Sequence, residues 1–403
     1  MGWRRFFGLI LLGIALSIGF ACSKPTPPSE QPSQSPTAVQ APAEEKVNPA
    51  KIELPPETAA IVAAAGPKGL FNPPRGDVRL LVVSDLNGIY GSTDYDPEVD
   101  KAMKLIPFWE PDMVVCSGDM VAGQSPTLSQ EQIRAMWAGF DEHIAAPLRQ
   151  AKLPWGFTIG NHDASSALGV GDKFLFKQER DLAAEYWDDP KHDPGLQFGD
   201  RYEFPFYYSF IFKDIFFLVW DGSSNHIPAE KLAWVEKTLA SPQAQQAKMR
   251  ILLGHLPLYA VAVGRNEPGE VMENADELRA MLERYNVHTY ISGHHHSYYP
   301  AHRGDLQLLH MGILGSGPRP LIDSNLPPWK ALTVLDINFD SPELTTYTTY
   351  DMQAMQLIRY EQLPRFLTGH NGIVLRRDVE WEDLAPEEQS TCIQRLGTKK
   401  CEN

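Results

Sequence analysis

Apolar runs that each end in a short polar cluster constrain the fold of this chain more than any other feature. Val78–Val83 reads as a buried strand, and Asp85 and Asn87 follow it directly. Met113–Cys116 repeats the pattern and is followed by Asp119. Stretches with helical character separate the runs, and strand–helix alternation indicates an α/β sheet. Because such sheets place their chemistry at the carboxyl ends of strands, the clusters predict a site at one sheet edge.

Three further clusters extend the pattern along the chain. Leu153–Ile159 is followed by Gly160-Asn161-His162-Asp163, Arg250–Leu253 by Gly254-His255, and Val287–Ile291 by Gly293-His294-His295-His296. Nitrogen and oxygen ligands without a thiolate suit manganese, iron or zinc. The set is too large for one tetrahedral site, so it predicts two metal ions that share a bridging ligand. The candidate metal ligands are Asp85, Asn87, Asp119, Asn161, His255, His294 and His296.

The order of these clusters resembles the calcineurin-like metallophosphoesterase superfamily, whose motifs run Asp, Gly-Asp, Gly-Asn-His-Asp, Gly-His and Gly-His-x-His. The resemblance covers about residues 78–338 and is specific because five spaced clusters occur in order. It implies a four-layer α/β/β/α sandwich of two mixed sheets flanked by helices. It also implies a dinuclear-metal-dependent hydrolase of phosphoric esters that acts on a small phosphorylated substrate, with a metal-bridging hydroxide as the nucleophile.

The resemblance also implies a role for each site residue. Asp119 would bridge the two metal ions, and the first site would be completed by Asp85, Asn87 and His296. The second site would be completed by Asn161, His255 and His294. His162 would lie just outside the metal ions as the general acid. Asp163 would orient His162 through a hydrogen bond.

Asn87 departs from the family pattern, which usually has His at this position. A carboxamide oxygen is a weaker ligand than an imidazole, so the first metal ion is expected to bind less tightly or to differ in identity. Taken singly, Asp85, Asn87 and Asp119 also fit ordinary strand-end turns. The remaining histidines are assigned no ligand role: His295 is expected to point away from the site, and His310 to be a core residue.

The first residues predict export. Arg4 and Arg5 precede an uncharged apolar stretch that ends at Cys22, as in a signal peptide over residues 1–21. The cysteine resembles the lipidated cysteine of bacterial lipoproteins, which implies a lipid anchor to the membrane at Cys22 and a place in the bacterial cell envelope. A plain signal peptide cleaved elsewhere, or an uncleaved anchor, is the alternative.

Composition divides the rest of the chain. Residues 22–77 are rich in Pro, Ser and Ala and predict an extended tether. Residues 78–340 are expected to form the metallophosphoesterase domain and residues 341–403 a C-terminal extension. Cys392 and Cys401 lie close together and, in an oxidising compartment, predict a disulfide, with two free thiols as the alternative. Cys116, within an apolar run, is expected to be a buried core thiol.

Net charge narrows the range of partners. The chain carries a formal net charge of −15, and a nucleic-acid partner is disfavoured because a protein that binds phosphate backbones needs a basic face. If the protein is an enzyme, a phosphodiesterase or nucleotidase is the alternative to a phosphomonoesterase. The alternative from another class is a non-catalytic envelope lipoprotein whose first metal site is weakened. The sequence leaves the oligomeric state open.

Overall fold

Two mixed β-sheets flanked by helices form the fold, which confirms the predicted α/β class. The computed structural model describes residues 53–341 and 343–401, and the predicted signal peptide, Cys22 and most of the tether lie outside them. The strands are β1 (Val78–Val83), β2 (Met113–Cys116), β3 (Trp155–Phe157), β4 (Gln197–Glu203), β5 (Tyr207–Phe212), β6 (Ile215–Val219), β7 (Met249–Leu253), β8 (Thr289–Ser292), β9 (Tyr299–Arg303), β10 (Leu306–His310), β11 (Ala331–Ile337), β12 (Thr345–Asp351), β13 (Gln356–Leu357), β14 (Phe366–Gly369) and β15 (Gly372–Arg376).

The first sheet has the strand order β13-β12-β11-β1-β2-β3. Strands β1, β2 and β3 run parallel to one another, and β11 pairs with β1 in the antiparallel sense. All six residues of β1 are buried, as expected for an apolar strand in the middle of a sheet. Because β1, β2 and β3 are parallel, the polar clusters that follow them meet at one edge.

The second sheet has the order β14-β15-β9-β10-β8-β7-β6-β5-β4. Strands β6, β7, β8 and β10 are parallel, and β5 and β6 form an antiparallel hairpin. The ends of β7 and β8 carry the remaining clusters. The candidate ligands therefore come from the strand ends of both sheets.

The helices fill the connections between strands. The helical segment over residues 97–109 is broken at Leu105, two residues before Pro107, which cannot donate a backbone hydrogen bond. Ser129 is the N-cap of the next helix, and Gln132 completes a capping box with it. The helices are α1 (Pro56–Ala65), α2 (Pro97–Lys104), α3 (Ile106–Trp109), α4 (Gln130–Phe140), α5 (Ala146–Gln150), α6 (Asn161–Ala164), α7 (Lys177–Asp188), α8 (Ala229–Leu239), α9 (Pro242–Gln246), α10 (Ala275–Arg284), α11 (Pro386–Leu396) and α12 (Thr398–Cys401).

The compact unit extends beyond residues 78–340 at both ends. The compact unit begins at Glu53, where the sequence predicted a tether as far as residue 77. Thr58 in α1 donates to Lys104 O, so this segment is attached to the body. At the other end, β12 pairs with β11 and β15 pairs with β9. Residues beyond 340 therefore complete both sheets.

The predictions for the three cysteines within the described residues are confirmed. Cys392 and Cys401 form a disulfide across a separation of nine residues, and both are buried in a small apolar cluster with Leu375 and Leu384. Cys116 is a buried free thiol in β2. Within the described residues, no helix is both long enough and apolar enough to cross a membrane.

A buried ion pair joins the two central strands of the first sheet. Arg79 in β1 lies opposite Asp336 in β11, with Nε to Oδ1 at 2.9 Å and Nη2 to Oδ2 at 3.0 Å. The guanidinium also donates to the carbonyl oxygens of Trp109 and Pro73. Arg79 therefore ties β1 to β11, to α3 and to the segment before β1.

Replacing Arg79 with Met should lower the free energy of unfolding by about 3–5 kcal/mol, because the buried Asp336 carboxylate would lose its partner. The matched control is Lys177→Met, which removes an exposed ion pair with Asp181 and should change stability by less than about 1 kcal/mol. Equilibrium denaturation with urea measures both. Equal losses of unfolding free energy in the two variants would show that the buried Arg79 pair stabilises the fold no more than an exposed ion pair does.

Candidate metal centre

Four of the predicted ligands form one buried group at the meeting point of the two sheets. Asn161 Oδ1 lies 2.9 Å from His255 Nε2 and 2.9 Å from His294 Nδ1. Asp119 Oδ2 lies 3.3 Å from His255 Nε2. The set proposed for the second metal ion, including the bridging carboxylate, is thus brought together.

The set proposed for the first metal ion is adjacent. His296 Nε2 lies 3.3 Å from Asp85 Oδ1. Asp85 also joins Asp119 and His255 in a group whose potential ligand atoms all lie within 4.8 Å of one another. Asn87 is buried, and its backbone N–H donates to Asp119 O at 3.3 Å. The first and second sets therefore lie next to each other, with Asp119 close to members of both.

Each of the three histidines is oriented by an oxygen on its far side. His255 Nδ1 lies 2.8 Å from Ser117 O, and His296 Nδ1 lies 2.9 Å from Gly317 O. His294 is turned the other way, with Nε2 at 2.8 Å from Glu270 Oε2. A proton on each far nitrogen leaves the near nitrogen facing the group, which is how proteins orient histidine ligands of metal ions.

The ionisable groups of this cluster keep their charge although they are buried. Burial alone would raise the pKa of Asp85 and of Asp119, yet their histidine neighbours hold both pKa values below the usual range. Burial alone would lower the pKa of His255, yet Asp119 and Asp85 raise it to about 9. Two ionised carboxylates thus lie close together, and a cationic partner is needed to stabilise them.

The backbone at the predicted ligands is unusual. Asp85, Asp119, His294 and His296 have φ values of 49°, 56°, 62° and 53°, in the left-handed region that non-glycine residues rarely adopt. Each such residue costs of order 1–3 kcal/mol, and such residues concentrate at functional sites. The chain thus accepts backbone strain in order to turn these four side chains inward.

Two glycines allow the backbone to approach the carboxylates closely. A Cβ at Gly160 would lie 2.1 Å from Asp119 Oδ1, and a Cβ at Gly293 would lie 2.6 Å from Asp85 Oδ2. No side chain fits at either position without moving these carboxylates. The glycines beside the candidate ligands are therefore part of the site.

His162 lies outside the buried group, as predicted. Its backbone N–H donates to Asp119 Oδ1 at 2.8 Å, while its ring is only partly buried and lies against Tyr90, with 5.1 Å between ring centroids. Its Nδ1 lies 3.0 Å from Gly123 O. A proton on Nδ1 therefore leaves Nε2 free.

The predicted role of Asp163 as the direct partner of His162 is wrong. The Asp163 carboxylate accepts from four backbone N–H groups, those of Asp119, Met120, Val121 and Gly160, at 2.7–2.9 Å. It therefore holds the loop after β2 against the loop after β3, and so fixes the position of Asp119. The His162 ring is instead oriented by the carbonyl of Gly123.

The loop that contains Gly123 has its own support. Buried Glu179 in α7 accepts from the backbone N–H groups of Gln124 and Ser125. Gln124 Oε1 in turn accepts from Asn161 Nδ2 at 2.8 Å, which directs Asn161 Oδ1 toward the histidines. Glu179 thus helps to position both His162 and Asn161, although it touches neither.

Sequence reasoning missed Glu270, Glu179 and Arg265. Glu270 contacts His294 and is paired with Arg265, and these contacts lower the pKa of its carboxyl group to about 2. Glu270 and Arg265 lie in a loop without a repeating pattern, where one acidic residue resembles another. Glu179 lies among several other charged residues of α7, and the sequence did not distinguish it from them.

The residues present fit the two metal ions that the resemblance implies. Asn87 Oδ1 and Asp119 Oδ2 are buried and have no hydrogen-bond partner among the described residues. Unpartnered buried oxygens are rare, and a bound ion is one of the ways in which they are satisfied. Both are in the predicted ligand set, so the donor chemistry matches the expectation.

Comparison with known families identifies the fold. The profile of the calcineurin-like phosphoesterase family matches residues 78–298, which is more than half of the chain. The chain belongs to this family. Family members typically bind two metal ions and act on phosphorylated substrates, and the buried Asp85, Asp119 and His255 could hold such an ion here. A comparison with curated protein sequences found no match.

Solved structures that resemble this chain do so at low identity. A purple acid phosphatase from yellow lupin (Lupinus luteus) is 16% identical, with a TM-score of 0.47, over 73% of this chain and 58% of that one. GAP50, the anchor in the inner membrane complex of Plasmodium, is 15% identical, with a TM-score of 0.41, over 81% and 96%. A 5′-nucleotidase described from Staphylococcus aureus is 12% identical, with a TM-score of 0.36, over 79% and 57%. This chain covers less than two thirds of the phosphatase and of the nucleotidase, so their activities are not transferred.

Replacing Asp163 with Asn should lower the free energy of unfolding by about 2–4 kcal/mol, because an amide NH₂ would face backbone donors that now meet a carboxylate. Bound metal should fall as well, because Asp119 would no longer be held in place. Urea denaturation and elemental analysis of the purified protein measure the two effects.

The control is Asp172→Asn, at an exposed loop position, which should change stability by no more than about 0.5 kcal/mol. An Asp163→Asn protein with normal stability and metal content but a lower rate would mean that Asp163 acts through His162 after all.

Proposed function

We propose that this protein is a metal-dependent hydrolase of phosphoric esters. The observation that carries the proposal is the orientation of the three histidines. His255, His294 and His296 each place the far nitrogen against an oxygen. The near nitrogens of His255 and His296 face the buried carboxylates of Asp119 and Asp85, and that of His294 faces Asn161 Oδ1. A stabilising core would not need three oriented imidazoles around two carboxylates. This arrangement suits a pair of metal ions.

The residues divide between two ions. Asp85, Asn87 and His296 would hold the first, and Asp119 would be shared by both. Asn161, His255 and His294 would hold the second. When bound, the ions would polarise the phosphoryl oxygens and lower the pKa of a water molecule enough to make it a nucleophile.

His162 would act as the general acid. Its Nδ1 is directed to Gly123 O, so Nε2 faces away from that contact and can hold a proton at the leaving-group oxygen. Its backbone bond to Asp119 keeps the ring at a fixed place relative to the carboxylate shared by the ions. Protonation of the leaving group by such a residue contributes about 10²–10⁴ in rate.

A non-catalytic role is the competing function, because Asn87 offers a weaker ligand than the His usual in the family. If the first ion binds too weakly, the protein would hold one metal ion and not turn over. A phosphodiesterase or nucleotidase activity in place of a monoesterase activity is the other alternative. An assay of the metal-loaded protein with a phosphomonoester and a phosphodiester distinguishes these alternatives.

The protein from residue 23 onward, supplied with Mn²⁺, Fe²⁺ or Zn²⁺, should hydrolyse p-nitrophenyl phosphate or bis-p-nitrophenyl phosphate. His162→Asn should lower kcat by about 10²–10⁴ while metal content stays unchanged, because this side chain does not hold the ions. Asp119→Asn should remove both activity and metal.

The matched control is His226→Asn, an exposed histidine paired with Glu273, which should keep full activity. A protein that binds two ions per chain and hydrolyses neither ester would contradict the proposed function. Loss of metal in His162→Asn would contradict the role of His162.

We also propose that the chain is exported and held at a membrane of the bacterial cell envelope by a lipid on Cys22. The support is the basic, apolar and cysteine pattern of the first residues. Cys22→Ser should move the protein from the membrane fraction to the soluble fraction in cells that produce it. Ser23→Ala keeps the cysteine and should leave the protein with the membranes. Persistence of the Cys22→Ser protein in the membrane fraction would exclude the lipid anchor.

A further inference from the structure

Two loops that flank the metal centre are joined by backbone hydrogen bonds. Val263 N–H donates to Pro320 O at 3.0 Å, and Ile322 N–H donates to Val261 O at 2.9 Å. Arg265 follows the first of these segments, and Arg319 lies next to the second. The pairing brings the two arginines to the same rim of the site.

One arginine approaches a candidate ligand histidine through its side chain and the other through its backbone. Arg265 Nη1 lies 3.4 Å from His294 Nε2. The backbone N–H of Arg319 donates to His296 O at 3.1 Å, and Ser297 Oγ donates to Arg319 O. The Arg265 side chain thus lies beside His294, and the Arg319 backbone is fixed beside His296.

Arg319 has no anionic partner of its own among the described residues. Glu270 pairs with Arg265 and is also the acceptor for His294. Among the described residues, no ion pair or side-chain hydrogen bond involves the Arg319 guanidinium, and the Nε atoms of both arginines are buried without a partner. The Arg319 guanidinium lies next to the loop that carries Arg265, because a Cβ at Gly264 would be 2.9 Å from Arg319 Nη1.

A partly buried guanidinium without a partner carries a charge and hydrogen-bond donors that an anionic ligand can satisfy. Guanidinium groups bind phosphate oxygens in a two-pronged geometry that an ammonium group cannot reproduce.

We propose that Arg319, supported by Arg265, binds a phosphoryl oxygen of the substrate and selects phosphomonoester dianions over diester monoanions. This inference rests on the proposed function and names its substrate class. The additional negative charge of a monoester at neutral pH is what the unpaired guanidinium would recognise. A diester has one charge fewer and gains less from the same contact.

The test uses two variants. Arg319→Met removes the charge but keeps a side chain of similar length. Arg319→Lys keeps the charge but loses the two-pronged geometry of the guanidinium group. Arg134→Met, which removes an exposed pair with Glu185, is the matched control. Titration calorimetry with inorganic phosphate on the metal-loaded proteins gives affinity without catalysis. Kinetics with p-nitrophenyl phosphate and bis-p-nitrophenyl phosphate give KM and kcat.

Arg319→Met should weaken phosphate binding at least about tenfold and raise KM for the monoester by a similar factor, while the diester KM stays within about twofold. Metal content should be unchanged, Arg319→Lys should fall between the wild type and Arg319→Met, and Arg134→Met should match the wild type. Unchanged phosphate affinity in Arg319→Met, or a wild-type protein that binds no phosphate, would overturn the proposal.

Equal losses for both esters together with lost metal would overturn it too, by showing that Arg319 only supports the fold. If the wild type binds phosphate but hydrolyses neither ester, the proposed function fails, and the phosphate titration alone still decides the role of Arg319.

Discussion

The burial of Asp85 and Asp119 side by side is the constraint on which the rest of the structure depends. Neither carboxylate is exposed, and each is close enough to the other to share neighbours. Repulsion between two buried anions would open the junction of the sheets unless cationic groups or metal ions bring compensating charge. The inward-facing histidines, the left-handed backbone at the ligands and the glycines beside them all follow from meeting this requirement in a small volume.

A second layer of contacts keeps that centre in shape. Asp163 joins the loops after β2 and β3, Glu179 supports the loop that orients His162 and Asn161, and Glu270 orients His294. All three are carboxylates that accept N–H hydrogen bonds. These carboxyl groups thus fix the positions of the candidate ligands without being ligands themselves, as outer contacts do in metal sites of proteins.

The sequence was sufficient for the fold class, for most strands and for the residues that gather at the site, because apolar runs and glycine-flanked polar clusters are local patterns. It failed where a side chain's partner is distant in the chain. Asp163 looked like a partner of its neighbour His162, yet its partners are mainly amides more than forty positions earlier. Polar edge strand β4, and β9 with its Pro300, carry no strong strand pattern and were missed.

The pairing of β1 with β11 has a consequence for synthesis. Val78 lies opposite Ile337, so β1 pairs with a strand, β11, that is synthesised much later. At a translation rate of about 5–20 residues per second, that partner follows roughly 10–50 s later. During this interval one row of β1 backbone groups is open to pairing with other chains. A factor that shields nascent chains would therefore have its strongest effect on this protein before β11 has emerged.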